Sequence, residues 1–191
     1  MTLSLVKGQN TTLAPGLKKI VVGLGWQPAV SSNEEFDLDA SAFLLNSEHK
    51  VRSDSDFVFY NQLKSACGSV RHMGDNRTGA GDGDDEQIVV ELDKVPADVE
   101  HIVFTVTIYE ADKRKQNFGM VDDSYIRIVD VSDGNNEEIT RFELTEDACT
   151  NQTLIFGELY RRNGAWKFRA LGQGFDGDLG ALARKYAVPG M

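Results

Sequence analysis

Cysteine, proline and long apolar runs are scarce in this sequence of 191 residues. Two cysteines exclude a disulfide framework and fit a reducing compartment, so we expect a cytoplasmic protein. The apolar runs are far shorter than the ~20 residues of a membrane-spanning helix. Residues 1–30 also lack the basic-then-apolar layout of a secretion signal. We therefore expect no direct membrane insertion.

Basic residues are also in short supply, since 20 Lys and Arg face 30 Asp and Glu and give a net charge of −10. Such a chain repels phosphate backbones, which argues against nucleic-acid binding and favours cations or basic partners. Segments 31–40 and 75–86 together carry −8 of this charge. Because two carboxylates ~7 Å apart repel by about 2 kcal/mol at a dielectric constant near 20, crowding them opposes folding. Either a bound cation neutralises the two segments or their loops stay splayed in water, and we favour the cation.

Apolar residues alternate with polar ones over ten short segments, the pattern of half-buried strands. These segments are 2–6, 20–24, 36–45, 57–60, 87–92, 102–109, 125–131, 139–144, 154–160 and 166–171. Asn163-Gly164 predicts a tight hairpin turn. An apolar stripe after Asp178, a capping residue, predicts a helix at the C-terminus. The sequence therefore predicts one all-β domain over 1–191: a two-sheet antiparallel β-sandwich with long acidic metal-binding loops and a short C-terminal helix.

Two aspartates alternate with apolar residues at the start of segment 36–45. Strand geometry sends Leu38 and Ala40 to one face and Asp37 and Asp39 to the other, with the two aspartate Cα atoms ~6.5–7 Å apart. That spacing lets both carboxylates bind one ion. The alternative is a strand with a solvated polar face.

The segment 74–86 combines acidic residues with glycines at 79, 81 and 83 that permit a tight backbone path. Ca²⁺ takes six to eight oxygens from carboxylates, amides and carbonyls on an adaptable loop, whereas Mg²⁺ keeps more water. We therefore favour Ca²⁺ over Mg²⁺, with a flexible acidic loop as the remaining alternative. The candidate ligands here are Asp75, Asn76, Asp82, Asp84, Asp85 and Glu86, with Asn61 as a further amide.

Other chemistries find less support. His49, His72 and His101 are scattered along the chain without a zinc-binding spacing. No nucleophile motif of a hydrolase is present, although paired carboxylates are also used in glycoside hydrolysis. The alternative to a binding protein is a Mg²⁺-dependent enzyme acting on an anionic or phosphorylated substrate. We expect no enzymatic activity.

These segments resemble the TerD-type proteins of bacterial tellurite-resistance and stress-response operons. The matching stretches are 4–8, 22–26, 36–41, 52–54, 57–61, 74–86, 114–119, 156–160, 166–170 and 172–175. The resemblance implies a cytoplasmic β-sandwich that binds two Ca²⁺ ions and acts non-enzymatically. It also implies other tellurite-operon proteins as partners, including an integral membrane protein that would hold the chain at the inner face of the membrane. Capture of a tellurium oxyanion by Cys67 and Cys149 is least favoured, because an acidic surface repels oxyanions.

The resemblance transfers ligand roles only onto matching positions. The implied calcium ligands are Asp37, Asp39, Asp75, Asn76, Asp82, Asp84, Asp85 and Glu86, together with Asn61.

Overall fold

The structure, a computed structural model, describes residues 2–28, 36–74, 83–143 and 150–191. Strands are the main regular elements of this part of the chain. They are β1 (Leu3–Leu5), β2 (Asn10–Thr12), β3 (Lys19–Pro28), β4 (Leu38–Leu45), β5 (Phe57–Val58), β6 (Val70–His72), β7 (Glu86–Glu91), β8 (His101–Ile108), β9 (Val121–Asp130), β10 (Glu137–Glu143), β11 (Thr153–Arg162) and β12 (Ala165–Phe175). The helices are α1 (Ala111–Arg114) and α2 (Leu179–Lys185), with 3₁₀ turns at Asp54–Asp56, Leu92–Lys94 and Phe118–Met120. Within the described residues, neither helix has the length and apolar character that crossing a bilayer requires.

The strands form two six-stranded sheets. Sheet A has the order β1-β10-β9-β3-β7-β6, and sheet B has the order β2-β12-β11-β8-β4-β5. The pairs are antiparallel except for β1, which runs parallel to β10. The predicted two-sheet all-β fold is confirmed.

The main core lies between the sheets and follows from alternation along the strands. The inward residues of β3, β4 and β8 are nearly inaccessible to solvent: Ile20, Val22, Leu24, Leu38, Ala40, Ala42, Leu44, Ile102, Phe104 and Val106. Burying each Val, Leu, Ile or Phe side chain among them contributes about 1.5–3 kcal/mol. This stabilisation fixes the register of every strand that carries them.

A second apolar cluster covers the outer face of sheet B. Phe43 on β4 and Ile155 on β11 pack there against Leu182 and Ala183 of α2. Asp178 caps this helix by accepting a hydrogen bond from the Ala181 N–H at 2.8 Å, as the sequence predicts. Because α2 covers the outer face, β4 is buried along its whole length.

The differences from prediction fall on short elements. β2, β6 and α1 were not predicted, because each has only three or four residues and too little periodicity to be recognised. Segment 57–60 forms a strand over two residues only, because the chain turns at Tyr60. The Asn163-Gly164 hairpin is confirmed, with φ values of 52° and 76° that suit these residues. A single domain over 1–191 stays a prediction.

Tyr186 belongs to the apolar cluster on the outer face of sheet B, and its ring centroid lies 4.8 Å from that of Phe43. Burial, and then the negative charge of Glu158, raise the pKa of Tyr186 well above its usual range. Above about pH 10 the unfolded chain therefore loses this proton while the folded chain keeps it, so stability falls as the pH rises. Between about pH 9 and about pH 11, we expect the free energy of unfolding to fall less in Tyr186→Phe than in the wild type. The two proteins should differ by up to about 1.4 kcal/mol per pH unit. The measurement is the free energy of unfolding of both proteins at the two pH values. An equal loss in both proteins would contradict this assignment.

Candidate functional site

The beginning of β4 brings two carboxylates into a buried position. Asp37 and Asp39 are only 7% and 5% exposed. Leu38 and Ala40 take the interior side of the strand, so Asp39 points to the outer face of sheet B. The Asp37 carbonyl accepts a hydrogen bond from the Tyr109 N–H at 2.8 Å, which ties this end of β4 to the end of β8.

A cavity of about 550 Å³ opens beside Asp39. Asn61 lines the same cavity, so the structure brings these two predicted ligands to one place. Aromatic rings of Phe57 and Tyr60 form part of its wall, and Lys113 lies at its margin. The cavity thus combines oxygen donors with an apolar wall.

Glu86 is the most deeply buried of the predicted ligands, at 1% exposure. It belongs to sheet A, yet its Oε2 accepts a hydrogen bond from the Ala40 N–H of sheet B at 2.5 Å. His72 Nδ1 accepts from the Gly74 N–H at 3.1 Å, which leaves the proton of a neutral imidazole on Nε2. That Nε2 lies 3.5 Å from Glu86 Oε2. Glu86 of sheet A therefore binds directly to β4, the strand of sheet B that carries Asp39.

Asp84 lies on the outer face of sheet A, away from the core and from β4. Arg127 binds its carboxylate through Nε at 2.7 Å and Nη2 at 3.0 Å, and the Tyr125 hydroxyl donates to it at 3.0 Å. A Cβ at Gly23 would lie 2.2 Å from Asp84 Oδ2, so only glycine leaves room for this carboxylate. Burial, with a further contribution from Asp84, raises the pKa of Tyr125 to about 12. The structure does not bring Asp84 together with Asp39 and Glu86.

Asp85 contacts the backbone of β3. Its Oδ2 accepts a hydrogen bond from the Trp26 N–H at 2.8 Å. Burial raises the pKa of Asp85, the Trp26 hydrogen bond opposes this, and the charge of Asp84 adds to it. The remaining predicted ligands Asp75, Asn76 and Asp82 lie outside the described residues, as does Cys149.

The residues around β4 fit a hard divalent cation. Carboxylates are almost never as buried as Asp37, Asp39 and Glu86 unless a partner compensates their charge. Carboxylate and amide oxygens, here with Asn61, are the donors that Ca²⁺ prefers. These donor types suit calcium, but in the described part of the chain the carboxylates of Asp37, Asp39 and Glu86 do not converge on one point.

Sequence reasoning missed the partners of these carboxylates. Arg127 and Tyr125 come from β9, far from the acidic segments along the chain, whereas His72 at the end of β6 lies just before segment 75–86. The spacing of Tyr125 and Arg127 by two residues predicts a shared face, but it does not say which strand lies opposite. Their role is visible only once the sheet order is known.

These features define a two-sheet β-sandwich with buried carboxylates at one end of its strands. The family model of the TerD domain matches residues 1–186. The chain belongs to the TerD domain family.

Curated relatives agree over almost the whole length. The chain is 54% identical to "Tellurium resistance protein TerD" of Alcaligenes sp and 49% identical to "General stress protein 16U" of Bacillus subtilis (strain 168). Each alignment covers 98% of this chain and 98% of the relative. Among solved structures, a homologue of telluride resistance protein (TerD) from Streptomyces coelicolor A3(2) superposes with a TM-score of 0.69. It is 24% identical, over 91% of this chain and 100% of that one, and shares the fold.

Proposed function

We propose that this chain is a non-enzymatic Ca²⁺-binding protein of tellurium resistance and chemical stress response, acting in the cytoplasm as a calcium-dependent interaction module. The names of its relatives support the first part, since they include tellurium resistance and general stress proteins at about half identity. The single observation behind the calcium proposal is the burial of Asp37, Asp39 and Glu86 at one end of the sandwich.

Asp37 and Asp39 would hold the first ion, with Asn61 near it, and Glu86 would contribute to the second from between the sheets. The predicted ligands of segment 75–82 would complete this site and a second one. A bound ion would offset the mutual repulsion of the carboxylates, which otherwise opposes folding. Since Glu86 already bonds β4 across the sandwich, calcium binding there would also stabilise the contact between the sheets. The surface formed in this way would dock other tellurite-operon proteins, including an integral membrane partner at the inner face of the membrane.

Thermal unfolding with and without calcium tests the proposal. A ligand that binds only the folded state stabilises it by about 2.7 kcal/mol at a hundredfold excess over Kd. For a chain of this size that corresponds to a rise in Tm of about 5–11 °C. The measurement is a melting curve in Ca²⁺, in Mg²⁺ and in EDTA. Equal midpoints in Ca²⁺ and in EDTA would refute the calcium proposal.

Two substitutions test separately the carboxylates of Asp39 and Asp84, which the structure places apart. We expect Asp39→Asn to weaken calcium binding by about tenfold or more, because it removes an anionic donor from the buried set. Asp84→Asn should weaken it less, because Arg127 already neutralises that charge. Asp93→Asn, at an exposed position, is the matched control. Calorimetric titrations that are unchanged by Asp39→Asn would move the site elsewhere.

The cavity beside Asp39 favours a second candidate, the Mg²⁺-dependent enzyme acting on an anionic or phosphorylated substrate. Lys113, which lines the cavity and pairs there with Glu110, is the basic group that such a substrate would meet. This candidate predicts Mg²⁺-dependent hydrolysis of p-nitrophenyl phosphate that Asp39→Asn abolishes. The interaction module predicts calcium binding without turnover.

A further inference from the structure

Two histidines and one glutamate meet at the end of sheet B that lies opposite to Asp39. His101 begins β8, and Glu158 lies on the neighbouring strand β11 opposite Val103. His101 and Glu158 therefore share the outer face of the sheet as diagonal neighbours, two positions apart in the pairing. His49 comes from the turn that follows β4, whose last residue Leu45 pairs with His101. Antiparallel pairing thus gathers two histidines that are scattered along the sequence.

We propose that His49, His101 and Glu158 bind a divalent transition-metal ion of the zinc type. One ligand atom from each residue lies within 4.8 Å of the other two. The two imidazole rings are 4.1 Å apart between centroids. Two imidazoles and one carboxylate, with a fourth position left for water, form a known zinc-binding combination.

The spacing between His101 Nδ1 and Glu158 Oε2 is 3.4 Å. An N–H···O hydrogen bond would bring these atoms to about 2.7–3.2 Å. Two ligands at about 2.0–2.2 Å from a tetrahedral ion lie about 3.3–3.6 Å apart. In the described part of the chain, the buried Nδ1 of His101 has no hydrogen-bond partner. The two atoms are thus as far apart as two ligands of one ion, and they also form an imidazole–carboxylate contact when no ion is bound.

The carboxylate of Glu158 is also held in place. It is 3% exposed, and its Oε1 accepts a hydrogen bond from Arg169 Nη2. The Arg169 guanidinium lies over the ring of Tyr160, 5.4 Å from its centroid. The other oxygen, Oε2, is left to face His101. A hydrogen bond from a neighbouring side chain that orients a ligating carboxylate is typical of protein metal sites.

An ion has access to this group. A cavity of about 360 Å³ is lined by His49 and Glu158, and His49 itself is exposed. The site differs from the proposed calcium site in chemistry, because imidazole nitrogen suits zinc-type ions and calcium takes oxygen. It also differs in position, since the seven steps along β8 from His101 to Ile108 span about 23 Å. The two sites can therefore be tested separately.

The experiment titrates Zn²⁺ into the full chain with Ca²⁺ present, by calorimetry and by competition with a chromophoric chelator. The key variant is His49→Asn, because His49 has φ of 58° and asparagine tolerates this left-handed conformation. His101→Gln is the second variant. Glu48→Gln, an exposed neighbour on the same cavity, is the matched control for general loss of negative charge.

We expect one Zn²⁺ per wild-type chain, with affinity reduced about tenfold or more by either histidine substitution and retained in Glu48→Gln. Bound Co²⁺ should show the visible absorption of a tetrahedral ion in the wild type and lose it in His49→Asn. Asp39→Asn should leave zinc binding unchanged. The proposal is overturned if the wild type binds no Zn²⁺, if His49→Asn binds it as tightly, or if Glu48→Gln loses as much affinity as His49→Asn.

Discussion

Arg127→Ala is expected to lower the free energy of unfolding by about 3 kcal/mol. Removing one member of a buried ion pair costs about 3–5 kcal/mol, because the other charge stays buried without compensation. The Asp84 side chain is 1% exposed, whereas Arg127 keeps 28%, which places the effect at the lower end. Tyr125 and Gln87 would still donate hydrogen bonds to Asp84, but neither carries a positive charge. The corresponding drop in Tm is about 6–12 °C.

The matched control for this substitution is Arg71→Ala on β6 of the same sheet. Arg71 is exposed, and substitutions at such positions usually change stability by about 0.5 kcal/mol or less. Chemical denaturation of both variants in EDTA separates the ion pair from any effect of calcium. If Arg127→Ala were no less stable than Arg71→Ala, Asp84 would not depend on Arg127 for its burial.

Phe57→Ala should cost about 3–5 kcal/mol, the range for removing a buried aromatic side chain. Its ring stacks between Phe43 at 4.4 Å and Phe59 at 4.3 Å, and it is 1% exposed. Stacked aromatic pairs add about 0.5–1.5 kcal/mol beyond the buried area. Because Phe57 also lines the cavity beside Asp39, its loss would enlarge that cavity. We therefore expect calcium binding to weaken together with stability.

Tyr109→Ala serves as the control because it removes a ring from the same cavity at a residue that is 41% exposed. It should cost far less than Phe57→Ala in urea denaturation. Equal losses in the two variants would show that the stacked rings are not what stabilises this end of sheet B.

Much of the sandwich was predictable because its long strands alternate clearly. On β3, β4 and β8 one face is apolar throughout, and this pattern alone locates the core. The short strands β2 and β6 were not predictable, since three residues carry no period. Their position depends on β12 and β7, with which they pair. Local sequence does not encode such tertiary pairing.

The candidate site was predictable in part. Charge density and spacing single out Asp37, Asp39 and Glu86, and the structure shows these carboxylates buried around β4. The same reasoning placed Asp84 with them, but its role as a ligand stays a prediction, because Arg127 binds it on the outer face of sheet A. Charge counting treats neighbouring carboxylates alike. Asp84 precedes the first residue of β7, so strand alternation does not fix its direction, and its carboxylate lies on the outer face of sheet A while Glu86 points between the sheets. Sequence separation likewise concealed the approach of His49 to His101.

The two sheets end in very short strands. The outermost strands of sheet A are β1 and β6, and those of sheet B are β2 and β5, each with two or three residues in the described part of the chain. Such margins offer few backbone groups for another chain to pair with, which guards against lateral polymerisation and amyloid-like stacking. A partner that recognises this protein consequently has to bind its loops, the faces of its sheets or the ends of its strands. Adding a strand to a sheet edge would give the partner few backbone hydrogen bonds.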